Sequence, residues 1–295
     1  LKFSKPAVTA SIVIEKESVM PSLRLASAAF VVGSALAVPA MAQTKTWNFG
    51  DQTAPGSCGP IGTPSYGNVV SCTQQPNGTV VDLYVRGYAS SGSGTGSNGN
   101  SGTRTFQTAA MNYQGTGSGV GIYNQIEGLS ATSPNHAIDN SSSSGIIDMM
   151  LLSFTSAEIL KSVTIGWSGT DGDFQVLAYT GSAPFSTNSI VGKTAAQMLT
   201  GGWSLVTTVN GAGNISTPDV NYAVNAGNVS SSYWLISAYN SAFGGSTIAT
   251  TGVDAIKVLA VTTQGSTNVP LPNTLALAGL GLFAIARMRR RQSSA

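Results

Sequence analysis

Charge is what this sequence has least of. Lys, Arg, Asp and Glu together make 9% of the 295 residues, where an average soluble domain carries about a quarter. The few bases crowd the ends, with Lys2, Lys5, Lys16 and Arg24 near the start and Arg287, Arg289, Arg290 and Arg291 near the finish. Between residues 43 and 268 ten acids face six bases, a net of −4. That excludes nucleic acid as the partner of this stretch, because phosphate binding needs a basic face. Histidine occurs once, as His136. A Ser-His-Asp triad would have to use it, with Asp139 or Asp148 as the orienting acid. No nucleophile-elbow motif accompanies it, and the expectation is no catalytic residue and no enzyme. Cysteine occurs twice, as Cys58 and Cys72, and two Cys with one distant His do not complete a zinc site. In an oxidising compartment the pair forms a disulfide, worth roughly 3 kcal/mol for a loop of this length; two free thiols are the alternative. Helical periodicity is scarce too, and only Lys193–Leu199 reads as a short helix.

What is abundant fits an extracellular β protein with long loops: 35 glycines and many Ser, Thr and Asn. The ends read as processing segments. Met20 opens a signal peptide over residues 20–42, with Arg24 as the positive region and an apolar run from Leu25 to Val38. Ala40-Met41-Ala42 is a small-x-small cleavage site that leaves Gln43 as the mature N-terminus. Residues 1–19, with Glu15-Lys16-Glu17, are expected to be an over-extended start. At the other end, residues 269–295 begin with Val269-Pro270-Leu271-Pro272-Asn273-Thr274, where the prolines break any helix. Residues 275–286 follow as a 12-residue apolar run, short of the roughly 20 residues that span a bilayer comfortably. Arg287, Arg289, Arg290 and Arg291 then act as a membrane stop that stays cytoplasmic.

This tripartite tail resembles the PEP-CTERM sorting signal of Gram-negative bacteria, which is recognised by the membrane protease exosortase. Val269, Pro270, Pro272 and Thr274, the Leu/Ala/Gly helix and the arginines match in order and spacing. Leu271 departs from the pattern, which usually has Glu there. Stretches of the middle resemble exosortase-dependent surface proteins: Ser133–Asn140, Asp148–Phe154, Val163–Asp171, Val176–Tyr179 and Val253–Lys257. The resemblance implies sorting and surface display in bacteria that make exopolysaccharide, and no known enzyme activity.

Between the ends, strand-like runs recur with turn signals between them: Thr79–Tyr88, Thr105–Tyr113, Val120–Gln125, Ile147–Phe154, Leu160–Trp167, Phe174–Tyr179, Trp203–Val209, Val220–Val224, Tyr233–Tyr239 and Asp254–Thr262. Val163, Ile165 and Trp167 share one face, as in a strand with one buried side. These runs predict an all-β fold, a jelly-roll-like β-sandwich over residues 43–268, with a flexible Gly/Ser loop at 90–103. A signal helix before it and a short transmembrane helix after it complete the expected organisation.

Calcium is the one metal the sequence offers, with Asp139, Asn140 and Asp148 as hard oxygen ligands around a loop; no other cofactor is expected. Asp171-Gly172-Asp173 reads as turn chemistry. Gly94–Gly99 matches G-x-G-x-x-G without a following helix, and Gly192-Lys193-Thr194 lacks the rest of a P-loop, so neither binds a nucleotide. Trp167, Tyr179, Trp203, Tyr233, Trp234 and Tyr239 are candidates for stacking on sugar rings, although aromatics in strands mostly serve the core. The expected function is an exported, exosortase-sorted surface or matrix protein, structural or adhesive, linked to exopolysaccharide or biofilm. A carbohydrate-binding module is the alternative, and an extracellular hydrolase a third. The expected partners are signal peptidase and the Sec machinery, an exosortase-type protease, exopolysaccharide, and the inner membrane through the C-terminal helix before final placement at the surface.

Overall fold

Alternating and doubly apolar runs dominate the middle of the chain, and they become strands. A computed structural model describes residues 43–51, 56–59, 61–74, 82–92, 103–140, 146–216, 219–245 and 252–265. The strands are β1 (Thr44–Asn48), β2 (Val69–Cys72), β3 (Leu83–Ser90), β4 (Phe106–Tyr113), β5 (Val120–Tyr123) and β6 (Ile138–Asp139). They continue as β7 (Asp148–Ser168), β8 (Phe174–Tyr179), β9 (Trp203–Val209), β10 (Val220–Ala223), β11 (Ser231–Ala238) and β12 (Ala255–Gly265), with one helix, α1 (Ala195–Thr200), before β9. The signal segment, the tail and most of the 90–103 loop lie outside the described residues. Among the described residues no helix is long and apolar enough to cross a membrane.

The all-β class is as the sequence implies, but the strands do not separate into two sheets. All twelve belong to one antiparallel sheet that closes on itself. The ring runs β12-β5-β4-β3-β7 and returns to β12 through a second pairing of β7, in which Val163 faces Val261. β7 makes this closure possible because it is 21 residues long and serves two neighbourhoods. Its first half lies between β3 and β11, and its second half between β12 and β10. The sequence reads two strands here because Thr155, Ser156 and Ala157 are exposed and interrupt the apolar pattern. The chain crosses that interruption as a bulge: Tyr233 pairs with Ser153, but Ser231 pairs with Glu158. A bulge bends a strand and tightens its twist, which turns one β7 into two walls of the ring.

Every ring strand contributes to one core. Leu83 and Val85, Met111, Ile122, Leu152 and Phe154, Val163 and Ile165, and Val258 and Val261 meet there with Trp47 and Trp234. Each large side chain fully removed from water stabilises by about 1.5–3 kcal/mol. A second cluster covers the other face of β7, β8 and β11, with Met149, Leu151, Leu177, Tyr179 and Leu235 packed under Ile190, Ala195 and Met198. These strands are therefore buried on both faces and read as continuous apolar runs. Thr194 caps α1 by accepting from the Gln197 amide, while the Gln197 side chain accepts from the Thr194 amide. This capping box is what the Gly192-Lys193-Thr194 stretch does. Cys58 and Cys72 form a buried disulfide.

Candidate functional site

Six of the ten acids between residues 43 and 268 gather in two clusters, Glu127 with Asp139 and Asp148, and Asp171 with Asp173 and Asp254. In each, one carboxylate oxygen from every member lies within 4.8 Å of those of the other two.

The first cluster is assembled by a turn, a strand end and a strand start. After β5 the Asn124 Oδ1 accepts the amides of Ile126 and Glu127 at 3.1 and 2.9 Å, which folds the turn and directs Glu127 inward. Asn124 Nδ2 donates to Glu127 Oε2 and, at 3.4 Å, to Asp148 Oδ1. Asp139 ends β6 and Asp148 opens β7, both fully buried. Burial pushes the Asp148 carboxyl well above the usual range, and the charges of Asp139 and Glu127 push it further. Its Oδ2 accepts no hydrogen bond.

The second cluster sits where three chain segments converge. Asp171 and Asp254 form a parallel bridge, with the Ala255 amide donating to the Asp171 carbonyl at 3.1 Å. Asp173 precedes β8, and its Oδ1 accepts from the Gly211 amide at 2.9 Å. Gly211 has to be glycine here, since a Cβ at that position would stand 1.9 Å from the Gly172 carbonyl oxygen. Asn140 grips Asp254 twice, accepting its amide at 2.8 Å through Oδ1 and donating to its Oδ2 through Nδ2. Burial and then the charges of Asp173 and Asp171 raise Asp254 to about 8. Burial and the Asp171 charge raise Asp173 to about 6. Asp173 Oδ2 and Asp254 Oδ1 accept no hydrogen bond. Donor sets made only of carboxylates suit hard divalent cations.

The structure brings together part of the expected calcium set. Asp139 and Asp148 do come together, but Asn140 does not join them. Successive side chains of an extended segment point to opposite sides, so Asp139 enters the first cluster and Asn140 turns to Asp254. Asp171 and Asp173 do perform turn chemistry, Asp171 Oδ1 accepting from the Gly172 amide at 3.0 Å, yet Asp254 converts them into a cluster. The sequence reading missed Glu127 and Asp254. Asp148 opens an apolar strand and Asp173 and Asp254 each stand immediately before one, a signal that could have pointed to acids gathered at strand ends.

His136 stands against a cation rather than in a triad. Its Nε2 lies 2.9 Å from Lys257 Nζ, and its ring meets Tyr123 edge-on at 6.4 Å. Burial and then the Lys257 charge hold the imidazole pKa below its ordinary value. Lys257 lies 4.4 Å above the Trp167 ring centre, and burial lowers its ammonium to about 8. Of the six aromatics considered for sugar stacking, Tyr179, Trp203, Trp234 and Tyr239 are buried. Trp167 and Tyr233 are half-buried, with Tyr233 stacked on Phe185 at 4.1 Å. A shallow groove beside Trp167 is lined by Gly169, Thr170, Asn214 and Ile215.

The signal-cleavage residues Ala40 and Ala42, the sorting residues Val269 to Thr274 and the arginine cluster lie outside the described residues; Gln43 is the first described residue. No curated protein matches the chain. The family model of the PEP-CTERM protein-sorting motif matches residues 268–291, a span that takes in the proline pair, the apolar run and the arginines. The chain therefore carries a PEP-CTERM sorting signal, which marks it as an exported protein targeted to an exosortase.

Proposed function

We propose that the barrel is a non-enzymatic structural or adhesive module, displayed at the surface or in the exopolysaccharide matrix of a Gram-negative bacterium. The sorting motif at residues 268–291 carries this reading. Signal peptidase cuts after Ala42. Residues 275–286 then hold the exported chain in the inner membrane, with Arg287–Arg291 on the cytoplasmic side. Exosortase cleaves near Pro270–Pro272 and passes the body outward.

Two further observations support it. The disulfide suits an oxidising compartment. The burial of four of the six candidate aromatics favours a scaffold over a sugar-stacking platform. Intact-mass measurement of the protein from its native host tests the route: the expected species begins at Gln43 and ends near Pro270–Pro272. A mass that retains residues 275–295 would refute exosortase cleavage. For the role itself, deletion of residues 269–295 should abolish matrix retention and leave the fold intact; unchanged retention would refute it.

A further inference from the structure

We propose that the two carboxylate clusters each bind one calcium ion, and that the folded barrel is the calcium-loaded form of the protein. A sequence this poor in charge nevertheless commits six acids to two trios, with every member but the half-buried Glu127 buried. Gathering carboxylates out of water is costly unless a counter-ion is supplied. The nearest candidate in the sequence, Lys257, is three residues beyond Asp254 but turns to His136 and Trp167 instead. Burial and then the charges of Asp173 and Asp171 disfavour the Asp254 carboxylate, against the hydrogen bonds it takes from Asn140 and the Asp173 backbone.

The second line of evidence is independent of the clustering. Asp148, Asp173 and Asp254 are 0–1% exposed, and each retains one carboxylate oxygen that accepts no hydrogen bond. Buried polar atoms are almost always satisfied, so three orphaned oxygens divided between the two trios point to a ligand that takes oxygen donors. The companion oxygens are oriented from behind, Asp148 by Asn124, Asp173 by the Gly211 amide and Asp254 by Asn140, as outer partners orient metal ligands. Oxygen-only donor sets select hard cations. Calcium accepts a cage built largely from protein oxygens, whereas magnesium keeps several of its waters. Asp139 and Asn140 tie the sites together, since one enters the first trio and the other holds Asp254 of the second.

The test uses the protein purified from an exporting host, stripped with EGTA and dialysed against calcium chloride. Bound metal is counted by plasma mass spectrometry, and melting is followed with calcium or magnesium added back. Two calcium ions per chain are expected. Calcium at about a hundredfold excess over its Kd at both sites should raise the melting temperature by about 10–20 °C, with magnesium failing to substitute. Asp254→Asn and Asp148→Asn should each lose one ion, while Asp219→Asn, at an exposed position, should lose none. Fewer than two ions, or equal stabilisation by magnesium, overturns the proposal. Should either variant fail to fold, metal content and melting of the unaltered protein decide the matter alone.

Discussion

Replacing both cysteines by alanine should cost the barrel about 3 kcal/mol, nearly all of it through the unfolded chain. The bridge joins residues 14 apart in sequence, and closing a loop of about 15 residues removes unfolded-state entropy equivalent to about 3 kcal/mol. The folded side should change little, because backbone hydrogen bonds already hold the segment in place. Asn48 N donates to Gly56 O at 2.9 Å, Cys58 N to Asn48 O at 3.0 Å and Gly59 N to Ser71 O at 3.1 Å. Both cysteines are fully buried, and alanine leaves no stranded polar atom, as serine would. Urea titration of the C58A/C72A protein against the oxidised parent reads the difference, and for a body of this size the melting temperature should fall by about 6–12 °C. A loss below about 1 kcal/mol with an unchanged spectrum would refute the entropic argument. A loss well above about 5 kcal/mol would show that the three backbone bonds do not hold the loop without the sulfurs.

Other expectations follow from single side chains. Trp234→Ala should destabilise by about 3–5 kcal/mol, since the ring is fully buried and its Nε1 donates to Ser231 O at 2.9 Å; denaturant melts measure it. Gly211→Ala should cost more than the usual fraction of a kcal/mol for a loop glycine, because its Cβ would collide with Gly172 O; a melt indistinguishable from the parent would contradict the packing described. Stability should rise with pH between about 8 and 10.5, the folded and ordinary values for Lys257, because the unfolded chain binds more protons there. Lys257→Met should flatten that rise in melts taken across the window, and an unchanged slope would remove Lys257 as the cause.

Strands with one period or a doubly apolar run were legible in the sequence. Phe174–Tyr179 and Trp203–Val209 match the structure at both ends, because burial there follows directly from residue type. β1 and β2 escaped notice: each is only a few residues long, and β1 is held by β12 from the far end of the described chain. β7 was legible in its two halves but not as one strand, since its three exposed residues look like a turn and only the ring shows that the chain continues. The same distinction governs the acids. Asp139 and Asp148 are neighbours along the chain and were paired at once. Glu127 arrives through an Asn124 turn, and Asp254 through the pairing of β12 with β6 and the bridge to Asp171. Local spacing carries no record of such long-range closures.

The antiparallel pairing of β1 with β12 gives the barrel a direction. Thr44 lies opposite Gln264, so the first and last described strands begin and finish at a common edge. Asp254 stands at the other end of β12, which at 11 residues is about 35 Å long. Both the first and the last described strands thus leave the barrel at one pole, with the acidic clusters toward the other.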